Sequence, residues 1–249
     1  MLESFKRLFS RHGVDRDLGE VAEWAKHAGH GFKRVRGEDG FVIDGALEGM
    51  AWRLEWGPSQ RDYIAGHELR LRMELALPPE MQLLLLSRSL MEALERATYE
   101  QFTDSMQTEI GNKTPEEMRW LVMFPKVDLS ALKTLRARFG AVASVPSAGL
   151  AWIEGPLADE LARSADRLLR YDPPFVLMTL RSRTYLRMLL DIPDPASIES
   201  ALSIFETAVL QALGAASSFG GPSGDWHSTS STAWQSLQSD QLQDLSKPR

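Results

Sequence analysis

The stretch His67-Glu68-Leu69-Arg70-Leu71-Arg72-Met73-Glu74-Leu75 alternates charged and apolar residues without a break. A side-chain period of two belongs to a β-strand, so Leu69, Leu71, Met73 and Leu75 fall on one face and Glu68, Arg70, Arg72 and Glu74 on the other. Such a strand needs partners on its edges, an apolar layer against one face and a polar surrounding on the other. The segment before it obeys the same rule: Met50, Trp52, Leu54 and Trp56 alternate with Ala51, Arg53 and Glu55. The chain must therefore build a sheet with one dry face, covered by something else in the same molecule.

The covering layer is legible as helical spacing. Leu18, Val21, Trp24 and Ala25 share one side of a helix over 17–28, and Gly29 suits its C-terminal stop. Leu2, Phe5, Leu8 and Phe9 do the same over 1–13, beside Lys6, Arg7 and Arg11. After Pro78 and Pro79 the pattern predicts a long helix over 80–106. Thr114-Pro115-Glu116-Glu117 is a helix-start signature, and Pro125 limits that helix. Further helices are expected over 129–139, 156–169 and 195–213, the last capped by Asp194 and Pro195 and stopped by Gly214.

Other strands are expected over 32–36 and 41–47, a hairpin across Gly37-Glu38-Asp39-Gly40, and over 175–180 and 184–190. Two short ones, 141–145 and 150–153, flank Pro146-Ser147. From about Ala215 the chain is Ser-, Gly- and Gln-rich and aperiodic, a composition that cannot bury enough apolar surface to order itself. The fold class predicted is α+β, a largely antiparallel sheet flanked by helices.

Leu71-Arg72-Met73-Glu74-Leu75-Ala76-Leu77-Pro78 resembles Leu186-Arg187-Met188-Leu189-Leu190-Asp191-Ile192-Pro193. Each segment has strands before it and an amphipathic helix after it. The pattern reads as two related α-β-β-α halves, an internal repeat; the alternative is chance, since amphipathic strands ending at proline draw on the same residues. The division expected is an N-terminal amphipathic helix (1–13), a first α+β half (14–110), a helical connector (111–140), a second α+β half (141–214) and a disordered tail (215–249).

Composition narrows the function classes. A formal net charge of −6 argues against non-specific nucleic-acid binding, which rests on clustered Lys and Arg. The absence of cysteine removes disulfides, thiolate metal sites and Cys nucleophiles. No stretch reaches the roughly 18 apolar residues of a membrane span, and the first residues carry no apolar signal segment. A cytoplasmic protein is expected. Membrane attachment through the basic helix over 1–13 is the third-ranked reading.

No catalytic motif stands out. There is no G-x-S-x-G and no phosphate-binding glycine fingerprint. Glu23, His27 and His30 have the spacing of a transition-metal face on a continuing helix, but Gly29 is expected to end that helix first. No cofactor is expected. Arg70, Arg72, Arg181, Arg183 and Arg187 would line one sheet face if the halves are related; guanidinium forks suit carboxylate or phosphate ligands, and the competing reading is a solvated face paired with Glu68 and Glu74. Trp226 and Trp234 sit in the polar tail, where they would serve as anchors for a partner. The leading reading is a non-enzymatic module with an unknown protein partner; the alternative is an enzyme or small anionic-ligand sensor with a site between the halves. A homo-oligomer is left open.

Overall fold

The computed structural model describes residues 18–36, 39–104 and 115–219. The helix expected over 1–13, the turn residues Gly37 and Glu38, the connection around 107–114 and the tail beyond Phe219, with Trp226 and Trp234, lie outside the described residues.

In chain order the elements are α1 (18–27), β1 (Gly31–Arg34), β2 (Phe41–Leu47), β3 (Met50–Pro58), β4 (His67–Glu74), β5 (Leu83–Ser87), α2 (Arg88–Asp104), α3 (Glu116–Met123), α4 (Lys133–Arg138), β6 (Phe139–Ala143), α5 (Pro146–Ile153), α6 (Pro156–Ser164), β7 (Phe175–Leu180), β8 (Arg183–Leu189) and α7 (Pro195–Phe219). Apart from the last residue of α7, they belong to the compact unit that ends at Ser218. The fold is α+β.

Among the described residues the strands form one eight-stranded sheet in the order β1-β2-β3-β4-β8-β7-β5-β6. Every pairing is antiparallel. The alternation that opens β4 does what its period requires: Leu69, Leu71 and Met73 are buried with Trp52, Leu54 and Trp56 of β3 on one face. On that side α7 brings Glu206 against the Trp52 indole. The indole of Trp152 in α5 donates to the backbone oxygen of Ala208 in α7 at 2.9 Å.

The opposite face is divided in two. Over β5, β6 and β7, Leu84, Leu86, Val142, Val176 and Met178 pack with Leu90, Met91 and Leu94 of α2 and Met118 and Trp120 of α3. Across β8, β4, β3 and β2 the same face carries charged side chains.

At the middle of the sheet β4 pairs with β8, with Leu71 opposite Leu186.

Four local expectations are corrected. Leu83–Ser87 is strand β5 and not the start of a helix; helix α2 begins at Arg88. β5 is buried on both faces, and a fully buried strand reads as a plain apolar run with no period of its own. The segment 150–153 is the end of helix α5, which opens with Pro146 in its first turn. The helix expected over 129–139 is reduced to α4: Asp128 accepts from the Ser130 amide at 2.9 Å, closing a turn, and Phe139 already belongs to β6. Residues 215–219 continue α7, and Ala215 is buried.

Candidate functional site

The charged half-face is assembled from cross-strand pairs. Asp44 stands opposite Arg53, Arg53 opposite Arg72, Arg72 opposite Tyr185, Glu55 opposite Arg70 and Arg70 opposite Arg187. Period two places these side chains together on every strand, and the register decides who meets whom.

Glu68 is at its centre and is fully buried. Its carboxylate accepts from Arg187 Nη1 at 2.7 Å, from the Gln60 amide at 2.9 Å and from Arg70 Nη1 at 3.4 Å. Both arginines are held over it with only 16% of each side chain exposed. A buried carboxylate needs this compensation, because an uncompensated charge in a dry site is costly. Arg70 is also 3.5 Å from Glu55, and Arg72 is 3.6 Å from the same carboxylate.

One wall is built by the loop between β3 and β4. Tyr63 donates its hydroxyl to Glu117 of α3 at 2.9 Å, and Arg61 Nε reaches the same oxygen at 3.4 Å. Glu117 is fully buried. Burial is the main reason the Tyr63 phenol is pushed far above its ordinary range. Ile64 in this loop is buried too, so the wall is packed as well as hydrogen-bonded.

Three hollows run across this face and share lining residues. A small one of about 80 Å³ lies among Arg53, Glu55, Arg70, Arg72, Tyr185 and Arg187. Beyond Arg53 and Arg72 it meets a groove of about 450 Å³ that extends to Asp44, Glu74 and Arg183. Beyond Glu55, Gln60 and Arg70 it meets another of about 290 Å³ along Val42, Gly57 and Ser59.

The protonation shifts resolved on this face move groups away from neutrality. The Arg53 hydrogen bond holds the Asp44 carboxyl below the usual carboxylate range, and Asp44 raises Arg53 in return. Arg183 is raised by its hydrogen bond with Tyr185 and by Glu74.

Of the arginines singled out from sequence, the fold brings Arg70, Arg72 and Arg187 together. Arg183 lies on the larger groove and pairs with Glu74 at 2.6 Å. Arg181 is apart, on the β7–β8 turn, 3.7 Å from Glu116 of α3. Sequence reasoning missed Arg53, Glu55, Gln60, Tyr185 and the central role of Glu68. The parity of β3 already put Arg53 and Glu55 on a polar face, but only the register shows which arginines they meet.

Glu23, His27 and His30 do not form a cluster. Gly29, with φ of 75°, ends α1 in the left-handed conformation that glycine adopts freely. The His30 ring then packs 4.8 Å from Trp52 and 5.7 Å from Trp24, and burial lowers its pKa. His27 Nδ1 lies 2.7 Å from the Glu23 backbone oxygen. Among the described residues no group of three or more His, Asp or Glu side chains is placed to hold a metal ion. Nor is any helix long and apolar enough to cross a membrane.

No protein-family model matches the chain, and no curated protein matches it. A solved structure that resembles it is the crystal structure of the mycobacterial trehalose monomycolate transport factor A, TtfA. The likeness covers 80% of this chain and 94% of that one, at 9% sequence identity and a TM-score of 0.45. At that distance it carries no argument about what this chain does.

Proposed function

We propose that the protein is a non-enzymatic binding module whose recognition surface is the open, charged half of the sheet face. The observation that carries this reading is the contrast within one face. Its apolar half is sealed by α2 and α3, while the half over β2, β3, β4 and β8 holds five arginines in a fixed array, two of them seated on buried Glu68. Ordered charges give a partner a defined register and a fast, steered approach more than raw affinity.

The internal repeat belongs to the same proposal, and the likeness of Leu71–Pro78 to Leu186–Pro193 supports it. Trp226 and Trp234 are proposed as additional anchors for the partner.

The test compares the immobilised full-length chain with an Arg53→Glu/Arg72→Glu variant and a Lys133→Glu control on α4; Arg72 and Lys133 are exposed and Arg53 is half-buried. Proteins retained by wild type and control, released by salt and lost from the double variant are the expected result. An identical set retained by all three would remove the charged face from consideration.

A further inference from the structure

The small hollow at the centre of the charged face has a donor left over. Arg70 Nε is buried and has no hydrogen-bond acceptor among the described residues. Glu55 Oε2, its nearest opposite charge, lies 3.5 Å away, and the same carboxylate lies 3.6 Å from Arg72. Both separations are beyond those of well-formed charged hydrogen bonds. One carboxylate is thus shared between two forks and satisfies neither. Buried polar groups without partners are rare enough that each calls for an explanation.

The lining supplies one. Four guanidinium groups, Arg53, Arg70, Arg72 and Arg187, surround the hollow against a single lining carboxylate, Glu55. Beneath them Glu68 is committed to Arg187, Arg70 and the Gln60 amide. Asp44 is committed to Arg53 at 2.8 Å. Planar guanidinium forks match oxyanions carrying several acceptor oxygens. The volume, about 80 Å³, has room for a few water molecules, hence for one phosphate-sized group and not for a whole nucleotide. The two larger grooves that continue from it would receive whatever that group is attached to.

We infer that this hollow is a seat for a phosphate-class oxyanion, gripped by Arg70 and Arg72 with Arg53 and Arg187 at its sides. This rests on the proposed binding role of the same face and names the group recognised there. The oxyanion takes the Arg70 Nε donor and displaces Glu55 from its shared position. Arg181 and Arg183, outside the hollow, take no part.

The probe is inorganic phosphate, added to the full-length protein at constant ionic strength against chloride, with the thermal midpoint and titration heat as readouts. Binding of the folded state raises Tm with phosphate concentration. The expected result is a rise in wild type and in Arg181→Gln that is lost in Arg72→Gln and reduced in Arg53→Gln. Circular dichroism checks that each variant is folded. A phosphate response no larger than that of chloride, or one equal in Arg72→Gln and wild type, overturns the seat.

Partner capture separates this failure from that of the wider reading. No phosphate response with capture still lost in Arg53→Glu/Arg72→Glu rejects the seat alone; intact capture in that variant as well rejects both. Given a phosphate response, phosphatase treatment before capture identifies the source. Loss of capture assigns the group to the partner, and unchanged capture assigns it to free phosphate.

Discussion

Glu68 sits on the polar parity of its strand yet has no solvent exposure. Arg70, Arg187 and Gln60 close over it. Removing one partner of a buried ion pair strands the other's charge, at about 3–5 kcal/mol. Glu68→Ala should therefore lower the unfolding free energy in urea by about that amount, and a loss under about 1 kcal/mol would mean that the two arginines find water instead. Glu206 offers the opposite case. Burial raises its carboxyl pKa, with the Trp52 indole opposing. A raised acid favours the folded state below the unfolded pKa, and that advantage is lost as pH rises through the folded value. Glu206→Gln does not titrate, so its Tm should exceed wild type at pH 7.5 and the gap should close as the pH falls through the carboxylate range. A gap independent of pH would show packing and not charge.

Two tight turns show how elements are joined at a cost. Glu48 and Gly49, with φ of 49° and 82°, link β2 to β3. Both central residues of such a two-residue hairpin adopt positive φ, which favours Asn-Gly sequences. The β7–β8 turn makes the same demand on Arg181 and Ser182, φ 49° and 60°, neither a glycine. Ser182 earns its place by donating its hydroxyl to the Leu77 oxygen at 2.8 Å, while its backbone oxygen accepts the Leu75 amide at 2.7 Å. Among the described residues Arg181 has a loose, exposed pair with Glu116, which is worth little. A left-handed residue with a Cβ costs roughly 1–2 kcal/mol, less for Asn. Arg181→Asn should thus stabilise the protein by up to about 1 kcal/mol in chemical denaturation, and a destabilised variant would show that the Glu116 contact outweighs the strain. The same turn explains why 181 is remote from the arginine site while Arg187, on the same strand pair, is central to it.

At the scale of the molecule the β4–β8 ladder joins strands from both ends of the chain. β5 carries the connection further, leaving the first set of strands to pair with β6 and β7. Neither set can close its edge without the other, so the sheet should unfold as a unit. Hydrogen exchange measured across a urea series should give amides of β3 and β7 the same opening free energy and the same denaturant dependence. Separate slopes for the two strands would mean that the halves fold independently.

Periodicity alone settled the strands whose two faces meet different surroundings. β3, β4 and β8 were legible because water on one side and core on the other impose alternation. So were the helix starts at Pro115 and Pro195, where local backbone chemistry decides. β5 was not legible: Leu83–Leu86 has core on both sides, so no alternation records its strand character, and only pairing with β6 and β7 selects it. The same holds at the site. Local sequence put Arg70, Arg72 and Arg187 on polar parities, but parity says nothing about neighbours. Register between β4 and β8, more than a hundred residues apart, set Arg70 opposite Arg187, and the register of β3 on β4 left one carboxylate, Glu55, between two forks. The Arg70–Arg187 pair is a long-range packing outcome, decided where the apolar faces of β4 and β8 had to match.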